Sequence, residues 1–323
     1  MEKLKKLSKF PSFIFTFLLG ISVVVPLVLT SCRQNAQHVD EENNEGDNVQ
    51  PDPDPLPDDN LTTNYIGNAD GTNWKGYETG SLVCEAYDCD NDEELDSALI
   101  RKGNQYYCAN NLVIPDFVQI NENIYPLKKI SEDAFLWSNS NKIEGTLIIN
   151  DKIINIDSYA FYGQKYINEI IIGENVEEIS NYTFAYSQAT NIIFNNTKLI
   201  EIAEYAFLLN HFSNLNLNNV KTLKNSCFER STYLKKVSFS NLLTNIFDVP
   251  FSLGSLEKCD IDEIILSDFP NDLTAYINGW SNEAFSLVRD IGTIKSINCL
   301  ATDQQLLDLL KSKGLPEKWI IAS

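Results

Sequence analysis

Between Leu127 and Leu266, apolar side chains return at fixed offsets from a repeated phenylalanine. The phenylalanines are Phe135, Phe161, Phe184, Phe207, Phe228 and Phe251, separated by 26, 23, 23, 21 and 23 residues. Five positions before them stand Ile130, Ile156, Ile179, Ile202, Leu223 and Ile246, and eight before stand Leu127, Ile153, Val176, Leu199, Val220 and Leu243. The residue just ahead of each Phe is compact: Ala134, Ala160, Thr183, Ala206, Cys227 or Pro250. A slot too tight for a longer side chain, with the Phe rings stacked as a spine, is the expected reason. A near-constant period of this length predicts a solenoid, in which one unit cannot bury its apolar face except against the next.

A second pattern follows each Phe, apolar-x-x-apolar-x-apolar. It reads Ile167, Ile170, Ile172; Ala189, Ile192, Phe194; Phe212, Leu215, Leu217; Leu234, Val237, Phe239; and Ile261, Ile264, Leu266. Alternation at its end predicts a strand with one buried face in every unit. A degenerate seventh unit closes on Trp280 to Phe285, 34 residues after Phe251.

Taken together, these positions resemble a leucine-rich repeat, and the Ala-Phe form resembles the BspA-type leucine-rich repeat family. The expected fold is a β-rich solenoid, a ladder of about six or seven coils with short connecting helices or turns and a C-terminal capping helix. What the resemblance implies for function is adhesion and binding of a host or matrix protein, not catalysis. Abundant Asn between the apolar positions and the long step to Phe285 depart from the family pattern.

The repeats are expected over 112–298, with an N-terminal cap region at 61–111 and a closing segment at 299–323. "LVIPDFVQINENIYPLKKI" predicts a hairpin entering the first coil. "TDQQLLDLLKSKG" predicts a capped helix with Leu306, Leu307, Leu309 and Leu310 on one face and Gly314 at its end.

The remaining chain changes the picture at its start. Lys3, Lys5, Lys6 and Lys9 precede an apolar stretch from Phe10 to Leu29, which runs into Leu29-Thr30-Ser31-Cys32. This order is that of a signal peptide, expected at 1–31, and its ending resembles the bacterial lipobox. The resemblance implies cleavage before Cys32, lipid and fatty acyl groups (palmitate among them) on that residue, and a domain held on the outer face of a bacterial cell membrane. An uncleaved anchor is the alternative reading of the same stretch. Residues 32–60 are an acidic, Pro-rich tether with too little apolar surface to order.

The formal net charge is −20, and nine carboxylates lie between Val39 and Asn60 with no Lys or Arg. Nucleic acid is excluded as a partner, because it requires clustered cations.

Candidate chemistry is sparse. His38 lies in the tether and His211 in a repeat turn, and no phosphate loop, dinucleotide fingerprint or zinc helix occurs. The chain is read as a non-enzyme without cofactor or metal. Asp88, Asp90, Asp92, Glu94 and Asp96 alternate as in a calcium loop, but Glu93 stands where the sharp turn needs Gly and Leu99 where it needs Glu. With Cys32 set aside, Cys84, Cys89, Cys108, Cys227, Cys259 and Cys299 remain. Any pairing among Cys84, Cys89 and Cys108 is open, whereas Cys227 in the compact slot reads as a buried thiol.

Residues between the buried strand positions face outward. Their central column is Ile148, Ile171, Ile193, Asn216, Ser238 and Ile265, flanked by polar residues such as Asn191 and Asn195. An apolar strip with a polar rim is the expected partner-binding face of the ladder. A solute-binding lipoprotein and a purely structural surface protein are the competing readings.

Overall fold

The computed structural model describes residues 66–80, 82–103, 107–138, 141–195, 201–253 and 258–323. Cys32, the expected signal peptide, the tether and Leu199 lie outside the described residues. Among the described residues no helix is long and apolar enough to cross a membrane.

The N-terminal region contributes β1 (Ile66–Asn68), β2 (Tyr77–Gly80), β3 (Val83–Tyr87), β4 (Ser97–Arg101), β5 (Tyr107–Val113), β6 (Phe117–Ile120) and β7 (Asn123–Ile130). β6 and β7 form the antiparallel hairpin expected from their sequence. Beyond it, long and short strands alternate: β8 (Asn141–Ile148), β9 (Asn155–Ile156), β10 (Tyr166–Ile172), β11 (Glu178–Ile179), β12 (Asn191–Phe194), β13 (Glu201–Ile202), β14 (Asn214–Asn216), β15 (Thr222–Leu223), β16 (Lys236–Ser240), β17 (Asn245–Ile246) and β18 (Glu263–Ser267). A single-turn helix α1 (Thr274–Ile277), β19 (Thr293–Ile297), helix α2 (Asp303–Ser312) and β20 (Ile320–Ile321) complete the chain.

The end of β7 and the short strands β9, β11, β13, β15 and β17 pair in parallel, with Ile130, Ile156, Ile179, Ile202, Leu223 and Ile246 in one register. The long strands form two sheets, β2-β5-β8-β10-β12 and β14-β16-β18-β19-β20. They meet at a seam. Among the described residues β12 and β14 share no ladder pairing, and the His211 N–H donates instead to the Ala189 carbonyl at 2.8 Å. β14 is a weak strand by composition, since Asn214 and Asn216 lack the branched side chains that suit a pleated surface.

The phenylalanines stack through the centre. Successive ring centroids from Phe135 to Phe251 lie 5.0, 5.1, 5.4, 5.4 and 5.6 Å apart, nearly parallel. The compact slot has a backbone cause. The Phe135, Phe161, Phe184, Phe207 and Phe228 N–H groups donate to the carbonyls of Ala160, Thr183, Ala206, Cys227 and Pro250 in the next coil, at 2.7–3.0 Å. Successive turns therefore approach to hydrogen-bond distance at this residue. Pro250 is tolerated because the contact uses its carbonyl and not the N–H that proline lacks.

Two further columns complete each turn. Three positions after the Phe, Gln164, Ser187, Asn210 and Ser231 are all buried. Gln164 donates to the Phe135 carbonyl and accepts from the Ile143 N–H. Asn210 accepts from Ser187 Oγ and the Ala189 N–H and donates to the Phe184 carbonyl. These amides satisfy backbone groups that a buried turn would otherwise strand. Two positions before the Phe, Asp133, Tyr159, Tyr182, Tyr205 and Ser226 all take left-handed backbone, with φ of 55–60°.

At the C-terminal end, Phe285 leaves the spine and packs on Phe239 and Trp280. Helix α2 starts at a capping box in which the Thr302 side chain accepts from the Gln305 N–H and the Gln305 side chain accepts from the Thr302 N–H. It buries Leu306, Leu307, Leu309 and Leu310, and Gly314 follows at φ 93°. Trp319 is buried behind it.

Candidate protein-binding face

The register of the long strands places the outward columns side by side. Thr146, Glu169 and Asn191 form one row, and Ile148, Ile171 and Ile193 the next. Beyond the seam, Asn214, Lys236 and Glu263 align, as do Asn216, Ser238 and Ile265.

Exposure along the central column is uneven, which corrects part of the expectation. Ile148 and Ile265 are buried, each with 8% of its surface accessible. Ile148 is flanked in register by Val113 and Ile171, and Ile265 by Ser238 and Lys295. Column neighbours on both sides remove a residue's accessible surface even on an outward face. Strands β5 and β19 supply those neighbours from outside the regular repeats. The exposed apolar strip therefore narrows to half-buried Ile171 and to Ile193, 39% exposed.

Its rim is polar and ordered. Asn191 Nδ2 donates to Glu169 Oε1 at 2.6 Å, and Lys236 pairs with Glu263 at 2.6 Å. Asn191, Asn195 and Asn216 are exposed, and Ser238 is half-buried. Asn150 is buried and donates to the carbonyls of Ile114 and Pro115. Ser240 and Ser267 are buried as well, so the third position turns inward at Asn150, Ser240 and Ser267, whereas Asn195 stays exposed. Gly173 belongs to the same column, and a Cβ there would sit 2.3 Å from the Asn150 carbonyl oxygen.

A second surface feature lies at the Phe turns. Tyr159, Tyr182 and Tyr205 stack at 5.1 and 5.0 Å, outside the Phe spine, and Tyr162 leans on Tyr186 at 5.3 Å. Burial, together with the neighbouring Tyr205 and Tyr159, pushes the Tyr182 hydroxyl up to about 12. The sequence signal for this column is the Tyr two positions before Phe in "SYAF", "NYTF" and "EYAF", next to the compact residue of the slot.

The acidic loop binds itself. Asp88 accepts from the N–H groups of Asp90, Asn91, Asp92 and Glu93. The carboxylates of Asp88, Asp90 and Asp92 lie close together, and the backbone contacts account for the position of Asp88 without a cation. Asp96 is held down to about 2, first by the Cys89 thiol and then by the Cys89 N–H.

All six described cysteines are free thiols. Burial pushes Cys84 and Cys259 up to about 12 and Cys227 well above its ordinary range. His211 packs edge-on against Tyr233 at 4.8 Å. An open cleft on the short-strand side is lined by Lys128, Asp151, Lys152, Ile154, Asn175 and Glu177.

Comparison with known proteins identifies the ladder. The family model described as the BspA type leucine rich repeat region matches residues 128–257 in six copies. No curated protein matches the chain. Similar solved structures include a leucine-rich repeat protein from Bacteroides ovatus, with 14% identity over 67% of this chain and 70% of that one and a TM-score of 0.41. The T. pallidum Leucine Rich Repeat protein shares 14% identity over 75% of this chain and 96% of its own, with a TM-score of 0.38. A leucine rich cell surface protein from Faecalibacterium prausnitzii shares 13% over 68% and 82%, with a TM-score of 0.24. Residues 128–257, matched in six copies by the BspA type leucine rich repeat model, fold as a strand ladder around a Phe spine.

Proposed function

We propose that this chain is a lipid-anchored protein of the bacterial cell surface whose repeat ladder binds a host or matrix protein. The observation that carries the reading is the apolar pair Ile171 and Ile193, in register on adjacent strands and rimmed by Glu169, Asn191 and Asn195. An apolar centre with a polar border is the anatomy of a protein contact, and parallel pairing on both sides of β10 holds it rigid. The Leu-Thr-Ser-Cys motif supports the anchor, with Cys32 as the lipidated residue.

The contact is tested with Ile171→Asp combined with Ile193→Asp, measured by binding of extracellular-matrix proteins to the purified chain. The expected result is loss of binding with an unchanged melting temperature. A folded double variant that binds as the parent does removes this face from consideration. The anchor is tested separately: Cys32→Ser is expected to abolish incorporation of labelled palmitate and to release the chain from the membrane fraction.

A further inference from the structure

A thiol, an amine and a carboxylate meet where the N-terminal region joins the first coil. Lys128 Nζ, from β7, donates to Cys89 Sγ at 3.0 Å across 39 residues of sequence. Cys89 Sγ donates to Asp96 Oδ2 at 3.1 Å, and Lys128 pairs with the same oxygen at 3.7 Å. The group is built by three features. Parallel pairing of β4 with β7, Ala98 opposite Leu127, brings Asp96 and Lys128 to one place. The Asp88 carboxylate folds the loop back through four backbone N–H groups. The Cys89 N–H then donates to Asp96 Oδ1 and fixes the thiol.

We propose that Cys89 and Lys128 form an oxidative cross-link, with one oxygen atom bridging Sγ and Nζ, that fastens the acidic loop to the first coil. The oxidant is a peroxide. One equivalent converts the thiol S–H to S–OH and leaves as water. A second removes two electrons, with the S–O–H proton and one N–H proton, as the O–N bond forms, and leaves as two waters. Asp96 lies against both groups and is placed to relay these protons. A direct sulfur–nitrogen bond would require the two atoms to close from 3.0 Å to a single covalent length, whereas one interposed oxygen spans the gap nearly as it stands. Cys89 is suited to this because it is half-buried beside an ammonium, while Cys84, Cys227 and Cys259 are buried.

The test treats the purified full chain with hydrogen peroxide, digests it and weighs the peptides. The expected product joins the peptides of Cys89 and Lys128 with a gain of one oxygen and a loss of two hydrogens, and an excess of dithiol separates them again. Lys128→Arg keeps the cation and the ion pair with Asp96 and is expected to lose the cross-link entirely, as is Cys89→Ser. The cross-linked chain is expected to melt higher than the same sample after dithiol, a difference absent from Lys128→Arg. Sulfenic or sulfinic acid on Cys89 beside an unmodified Lys128, a junction lacking the added oxygen, or an unchanged product in Lys128→Arg each overturns the proposal.

Discussion

Two aromatic columns run along this ladder at nearly the same spacing, and they do different things. The Phe spine is fully buried, and each ring replaces water with apolar contact on both faces. The Tyr159-Tyr182-Tyr205 column stacks as closely but remains half-exposed and sits on left-handed backbone, which for a Tyr costs about 1 kcal/mol or more. Stacking contributes a comparable ~0.5–1.5 kcal/mol per pair. The inner column holds the fold together. The outer one little more than offsets its own strain.

That contrast can be broken in order of expected effect. Phe207→Ala leaves a cavity in the middle of the spine and is expected to cost about 3–5 kcal/mol in chemical denaturation. A melt unchanged in this variant would remove Phe207 from the core. Asn210→Ala strands the Ala189 N–H in a buried turn, where the Ser187 hydroxyl keeps its bond to the Phe184 carbonyl, and should cost about 1–3 kcal/mol. Tyr182→Asn loses two stacking partners but places a residue better suited to left-handed backbone, so the net change should stay within about 1 kcal/mol. A loss comparable to that of Phe207→Ala would make the two columns equivalent.

The smallest effect is electrostatic and lies outside both columns. Asp96 is held below its ordinary carboxylate range by the Cys89 thiol and N–H, so its contribution is present above the unfolded value of about 3.9 and fades as pH falls towards about 2. Asp96→Asn should therefore lower stability slightly at neutral pH, leave it nearly unchanged at about pH 2 and below, and so flatten the acid limb of the stability curve between them.

Periodicity made the spine legible. A Phe every 21 to 26 residues, with aliphatics five and eight positions before it, needs only stacked coils to explain it. The hairpin and the capped C-terminal helix were legible for local reasons, turn chemistry and the Thr302 cap. The outward face was legible in direction but not in area. Alternation shows that Ile148 and Ile265 point away from the core, but their burial depends on Val113 and Lys295, in strands that obey no repeat. The polar column at Gln164, Ser187, Asn210 and Ser231 was missed because its residue types differ from coil to coil. Its common property is a hydrogen-bonding role near the turn, and even that lapses at Ser231, whose hydroxyl has no partner among the described residues. In the acidic loop the alternating carboxylates suit a cation, while Glu93 and Leu99 depart from the calcium-loop pattern. The backbone N–H groups that Asp88 accepts are invisible without coordinates.

The seam between β12 and β14 has a mechanical consequence. One sheet of the ladder is interrupted there, while the short strands β13 and β15 and the Phe184-Phe207-Phe228 stack run through without a break. A rod joined on one side and slit on the other bends about the joined side. Slow exchange of backbone hydrogens for deuterium should find the slit, with the amides of β14 exchanging ahead of those of β10 and β16. Under a pull along its length, such a place would let the load turn the ladder before it unravels a coil.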